Sequence, residues 1–331
     1  MTQLIDSTAR GVYPISITPF LENGEVDLAG MDRLTDFFLS TGVPGVTLLG
    51  VLGEAGKLSH DESMAIIARV IRRINGALRV IVGTSHLGFD NLRAYADAAM
   101  SAGASGLMVA PAAGLKTEEQ VLGYFEGLIG RIGSDIPLAL QDFPQNTGVF
   151  ISAETINRLL KRHQSIKIVK HEEAAAMRKV GRLRAQEAAG ERERVSILVG
   201  NSGIHLPQEL HRGVDGANTG VAFPEMLVEV CNRFFAGNAE SAEDLYDIFL
   251  PIVRHEQPLG FGLAVRKEIF RRRGLIQCAR LRAPGASLDA DDHTELTRLL
   301  NRLVRRLQSA GEESVVTTYA IKASASNSAD K

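Results

Sequence analysis

The residue that organises the reading is Lys170, near the end of the run Ser165-Ile-Lys-Ile-Val-Lys-His-Glu-Glu173. Ile166, Ile168 and Val169 are β-branched, and the run is short and ends in charge, which reads as a strand. Strand residues alternate faces, so the spacing predicts Ile166, Ile168 and Lys170 on one side and Lys167 and Val169 on the other. A lysine sharing a face with two isoleucines is either a snorkelling surface residue or an amine held in a dry pocket. An ordinary lysine, with a pKa of about 10.4, is protonated at neutral pH and a poor nucleophile. Desolvation disfavours the ammonium form, and so a lysine becomes able to attack a carbonyl and form a Schiff base. Glu172 points to the same side if the strand continues, within reach of a bound substrate. Alternatively, Glu172 and Glu173 simply favour the N-terminus of the next helix.

Other stretches could join this chemistry. Gly50-Val-Leu-Gly-Glu-Ala-Gly56 can bring backbone N–H groups close to a carboxylate or phosphate, or it can be a tight turn with Glu54 on the surface. It lacks the Gly-Lys-Ser/Thr of a Walker loop and the spacing of a dinucleotide fingerprint. His86 and His171 are candidate acid–base groups or metal ligands, but no close carboxylate–histidine spacing accompanies them and no metal is expected. Cys231 and Cys278 form neither a metal nor a redox spacing and read as small core residues.

The elements that must position these residues alternate between short apolar runs and amphipathic segments. Strands are predicted over 11–18, 45–50, 78–83, 106–110, 137–141, 165–170, 195–199 and 216–220. Helices are predicted between them, one opened by the capping-box pattern Ser59-His-Asp-Glu62 and one capped by Thr117, with another from about Glu173 to Ala189. Eight strand–helix units over about 220 residues are the count and size of a (β/α)8 TIM barrel, with an open doubly wound sheet as the rival. The barrel is placed at residues 8–223. Residues 224–310 read as a C-terminal helical extension, and 311–331, rich in Ser, Ala and Thr, as a disordered tail. In a βα barrel the active site lies at the C-terminal ends of the strands. Those ends carry Thr18, the Gly50 loop, Thr84-Ser-His86, Pro111, Gln141-Asp-Phe-Pro144, Lys170-His-Glu172, Gly200-Asn201 and Thr219-Gly220, with one lysine among them.

Composition bounds the partners. The 331 residues are 45% hydrophobic and 23% charged, with a net charge of −2. That is ordinary globular composition without the basic footprint of a nucleic-acid binder. No apolar run is long enough to span a bilayer, and the N-terminus lacks the basic and apolar regions of a signal peptide. A cytoplasmic location with no membrane partner is expected.

The order of these pieces resembles the dihydrodipicolinate synthase/N-acetylneuraminate lyase family over about residues 10 to 300. The matching pieces are Thr18-Pro19-Phe20, Gly50-Val-Leu-Gly53-Glu54, Gly83-Thr84, Pro144, Lys170 and Gly213-Val-Asp-Gly216. The resemblance implies a TIM barrel, a Schiff base between Lys170 and a 2-oxo acid such as pyruvate, and a homo-oligomer, commonly a tetramer. The family's usual threonine pair is here Val51 and Leu52, and its strand-five tyrosine is Gln141. Its strand-four tyrosine is Ala112 or Ala113, and the arginine of the synthases is Asn146. A tyrosine–threonine–tyrosine proton relay is therefore absent. One branch, the L-2-keto-3-deoxyarabonate dehydratases, resembles this chain in Gln141-Asp-x-Pro144, Thr84-Ser-His86, Lys170-His-Glu172 and a piece near Arg254-His-Glu256, although its strand-two loop differs.

The expectation is a class I lyase that dehydrates a 2-keto-3-deoxy sugar acid with no cofactor. Lys170 is expected as nucleophile, Glu172 as acid–base and Gln141 as the orienting group. The loop at Gly50, Val51 and Leu52 is expected to hold the carboxylate. Thr18, His86, Gly200 and Asn201 are further candidates for substrate binding. An aldolase using the same enamine, and a non-catalytic keto-acid-binding protein on the same barrel, remain open.

Overall fold

The alternating apolar runs become eight parallel strands in a computed structural model that describes residues 3–85, 88–174 and 176–316. In chain order these are β1 (Gly11–Pro14), α1 (Leu28–Ser40), β2 (Gly45–Leu48), α2 (His60–Ile74), β3 (Arg79–Gly83), α3 (Phe89–Ser101), β4 (Gly106–Val109), α4 (Glu118–Ile132) and β5 (Leu138–Asp142). They continue with a one-turn α5 (Pro144–Thr147), α6 (Ala153–Arg162), β6 (Ile166–His171), α7 (Met177–Ala188), β7 (Ser196–Val199), α8 (Leu206–His211), β8 (Gly216–Thr219) and α9 (Pro224–Phe235). The C-terminal segment adds α10 (Ala239–Glu256), α11 (Phe261–Arg272) and α12 (Ala290–Ala310).

The strands pair in the order β1-β8-β7-β6-β5-β4-β3-β2. The remaining gap closes where Ile15 bridges Thr47 in parallel and the Ser16 N–H donates to the Thr47 carbonyl at 2.9 Å. This closure selects the TIM barrel over the open sheet. Ser59 forms the capping box its pattern predicts, Thr117 caps α4 as expected and does so in a capping box with Gln120, and Asp289 forms a third.

β6 departs from strict alternation. Leu138 pairs with Ile166, but the next residue, Ala139, pairs with Ile168, so Lys167 is an inserted residue in a β-bulge. Ile168 lies in the barrel interior with Ala139 and Leu198, whereas Ile166 joins the core between sheet and helices. The expectation that Ile166 shares the face of Lys170 is thus corrected, because an inserted residue flips the face of everything before it.

Three boundaries also shift. α7 begins at Met177 rather than Glu173, because Glu172 still bonds the end of β5, its N–H donating to the Asp142 carbonyl at 2.8 Å. α9 packs against β1 and takes the eighth outer position, so barrel helices extend past residue 223. The tail expected from 311 starts with a single 3-10 turn, Glu313–Val316, and Glu312 pairs with Arg233 at 2.7 Å; residues 317–331 lie outside the described residues.

Glu54, read as a possible surface residue, is buried at 3% exposure. Its carboxylate meets Lys267 Nζ at 2.5 Å, Lys57 Nζ at 2.9 Å and the Arg282 N–H at 3.0 Å. Lys267 Nζ also donates to the Arg280 carbonyl at 2.9 Å and stands over the Phe20 ring. This clasp ties the β2 loop to α11 and the chain beyond it. Breaking a buried pair by removing one partner strands the other charge and costs about 3–5 kcal/mol. Glu54→Ala is therefore expected to lower the unfolding free energy by about that much in urea titration; an unchanged midpoint would deny the clasp its role.

Glu209 on α8 is buried, and burial pushes its carboxyl from an ordinary value near 4.5 up to about 7, with His171 opposing the shift. The folded chain then holds a proton that the unfolded chain releases near 4.5. Stability is expected to fall as pH rises from about 4.5 to 7, by about 3 kcal/mol. Glu209→Gln should remove this penalty, raising the melting temperature over the parent at pH 8 but not at pH 4.

Candidate active site

The paired ends of β5 and β6 bring the chemistry together. Gln141 and Lys170 are register partners, so both side chains emerge on the same face at the C-terminal rim. Lys170 Nζ lies 2.7 Å from Glu172 Oε1, with both side chains almost fully buried. Gln141 Nε2 donates to the same Glu172 oxygen at 2.6 Å. The Asn201 N–H reaches Glu172 Oε2 at 3.3 Å, and Asn201 Nδ2 donates to the Glu172 carbonyl at 2.6 Å. Asn201 and Ser202 adopt left-handed backbone conformations, which fold the β7 loop tightly against Glu172. Gly200 is required there by space: a Cβ would stand 2.1 Å from Glu172 Oε2. The helix-dipole alternative for Glu172 thus gives way to a place in the site, while Glu173 turns away to pair with Lys179.

Gln141, Lys170, Glu172 and Asn201 line a cavity of about 150 Å³ together with Gly50, Val51, Leu52 and Thr219, and Gly200 lies outside that lining. Val51–Gly53 form a 3-10 turn after extended Gly50. Among the described residues no acceptor meets the Val51 or Leu52 N–H. Thr18 is not in the cavity lining; its hydroxyl donates to the Gly53 carbonyl at 2.7 Å and braces the turn from behind. His86 lies outside the described residues. His171, a candidate acid–base group, faces away: its Nδ1 lies 3.2 Å from Asp142 Oδ2 on the outer side of the sheet, as alternation from Lys170 requires. A second cavity of about 460 Å³ shares Gly50, Val51 and Gln141 with the first and is lined further by Ala112, Ala113 and Asn146.

The far wall comes from the C-terminal segment, through Glu256, Gln257, Leu259 and Arg266. Glu256 and Arg266 are each 1% exposed. Arg266 Nε donates to Glu256 Oε2 at 3.2 Å, and the Ala222 N–H donates to both Glu256 oxygens at 3.1 Å. Burial pushes the Glu256 carboxyl up, and Arg266 and the Ala222 N–H oppose the shift. Sequence reasoning placed Arg266 in none of these roles. The run Arg266-Lys267-Glu268 is three consecutive charges, which reads as a solvated face, yet all three are buried.

The fold is a (β/α)8 barrel with a buried lysine–carboxylate pair at the C-terminal ends of its strands, the end where barrel enzymes carry their chemistry. The chain belongs to the dihydrodipicolinate synthetase family, which matches residues 8–303. It is 28% identical over 310 residues to an L-2-keto-3-deoxyarabonate dehydratase of Azospirillum brasilense, covering 92% of this chain and 97% of that protein. It is also 28% identical to a 4-hydroxy-tetrahydrodipicolinate synthase of Methanocaldococcus jannaschii, over 74% of this chain and 82% of that one. The crystal structure of a dihydrodipicolinate synthase from Rhodopseudomonas palustris superposes with a TM-score of 0.89 at 40% identity, covering 91% of this chain and all of that one. Among the described residues no helix is long and apolar enough to cross a membrane.

Gly200→Ala is expected to expel the Glu172 carboxylate. A crystal structure of the variant should show Lys170 and Glu172 out of hydrogen-bond contact, with a stability loss of about 2 kcal/mol from overpacking. A carboxylate left in place would contradict the packing described.

Proposed function

We propose that this protein is a class I dehydratase acting on a 2-keto-3-deoxy sugar acid. The observation that carries the reading is the Glu172 carboxylate, set against Lys170 and held by Gln141 where the family pattern has a tyrosine. The Lys170 amine adds to the C2 carbonyl, and loss of water leaves an iminium. The iminium draws electrons from C3, and Glu172 takes the C3 proton to give an enamine. The enamine pushes out the C4 hydroxyl, which leaves as water with the proton held by Glu172. Water then hydrolyses the resulting conjugated iminium and frees Lys170. Gly50, Val51 and Leu52 present backbone N–H groups to the substrate carboxylate. Gln141, Gly200 and Asn201 position Glu172. Similarity to a named dehydratase over nearly the whole chain supports this reading.

An aldolase is the second reading, favoured by the synthase names of other relatives. It uses the same enamine but breaks or makes the C3–C4 bond. Product analysis separates the two: a dehydrated keto acid against a smaller keto acid plus an aldehyde.

Borohydride treatment with pyruvate is expected to add a reduced adduct to the wild type and none to Lys170→Ala, read by intact mass. An unreactive wild type would overturn the Schiff-base reading, and binding without turnover would point to a keto-acid-binding protein. Glu172→Gln should still trap pyruvate while turnover of a 2-keto-3-deoxy sugar acid falls at least ~100-fold. Unchanged turnover would remove Glu172 from the proton transfer.

A further inference from the structure

The Arg266 guanidinium is satisfied on two of its three nitrogens. Nε donates to Glu256 Oε2, and Nη2 donates to Ser202 Oγ and to the Glu256 carbonyl, each at 3.1 Å. Nη1 is buried with no acceptor among the described residues. It lies beside Gly220, 3.2 Å from where a Cβ would stand, and the Leu52 methyl Cδ1 occupies that spot instead. A methyl group is no partner for an N–H. Leaving a buried donor unpaired is costly, the more so when it is charged, so a fixed, unpaired guanidinium nitrogen calls for a reason. Arg266, Gly220 and Leu52 all line the cavity that holds Lys170 and Glu172. Leu52 is only part-buried, at the tip of its turn.

We propose that Arg266 Nη1 hydrogen-bonds a hydroxyl oxygen on the tail of the 2-oxo acid bound at Lys170, and so selects hydroxylated substrates. The inference rests on the Schiff-base reading above and adds its specificity determinant. The charge balance chooses the tail. Glu256 already neutralises the guanidinium, and a second carboxylate would enter a dry wall with no free countercharge. A neutral hydroxyl satisfies Nη1 without that cost, and a methylene does not satisfy it at all. Sites built to meet a substrate hydroxyl discriminate strongly against analogues that lack it.

The test compares trapping on Lys170 by borohydride and intact mass for four probes: pyruvate, 2-oxopentanoate, 2-oxoglutarate and 4,5-dihydroxy-2-oxopentanoate. The wild type is expected to reach half-trapping with the dihydroxy acid at a concentration at least ~10-fold below that for 2-oxopentanoate. Arg266→Lys keeps a cation for Glu256 but removes Nη1, and it should erase that ratio. Should Arg266→Lys fold poorly, the double variant Arg266→Met with Glu256→Gln removes both buried charges together and should give the same loss. An unchanged ratio in a folded variant would mean that Nη1 is served by water, and would overturn the inference while leaving the Lys170 chemistry intact. Preference for 2-oxoglutarate that vanishes in Arg266→Lys would also overturn it, in favour of a carboxylate tail. No adduct with any probe would overturn the Schiff-base reading and this inference together.

Discussion

An amine and a carboxyl group 2.7 Å apart, with almost no exposure to water, set the terms for the whole rim. Taken singly, either group in a dry wall carries a large desolvation cost. Taken together, each supplies the other's polar partner, and the surrounding residues are arranged for the pair. Gln141 and the Asn201 N–H supply donors to the carboxylate, and Gly200 supplies the volume it needs. The β-bulge at Lys167 belongs to the same arrangement. It sets the register at which Lys170 comes level with Gln141 on the interior face while Ile166 still packs outward.

The barrel does not complete the site alone. Its far wall is made by α10, α11 and the turn between them, and two buried ion pairs fix that segment to the barrel. Glu54 and Lys267 join it to the β2 loop, whose turn carries Val51 and Leu52. Glu256 and Arg266 join it to the β7 loop through Ser202 and to the chain after β8 through Ala222. Buried pairs of this kind contribute little net stability over apolar packing, but breaking them is costly. Their effect is to hold a wall built from distant sequence in one position relative to Lys170.

What was legible in the sequence follows from which interactions are local. Strand–helix alternation, the capping box at Ser59, the cap at Thr117 and the rise of Lys170 at a strand end depend on neighbours within a few residues. All were readable, including the (β/α)8 count. The face of Ile166 was misread because a bulge is a property of pairing between strands, and one strand alone does not reveal it. Glu54 was misjudged, and Arg266 missed, for a related reason. A charged side chain is buried only when a partner meets it, and their partners lie 213 and 10 residues away in sequence. Alternation from Lys170 already separates His171, on the outer face, from Glu172, on the inner one.

The departures from the family pattern then make chemical sense as a set. Val51 and Leu52 replace hydroxyl side chains, but backbone N–H groups do not depend on side-chain identity, so the turn keeps its capacity to face an anion. The loss is a chain of hydroxyls able to carry a proton over a distance. On the proposed reading no such chain is needed. Dehydration removes a proton from C3 and returns one to the oxygen on C4, the adjacent carbon. A single carboxyl group beside the lysine can serve both ends of that transfer, provided it is held still. Gln141, Asn201 and Gly200 do that holding, so glutamine in the tyrosine's place reads as part of a different proton path on the same barrel rather than as a lost function.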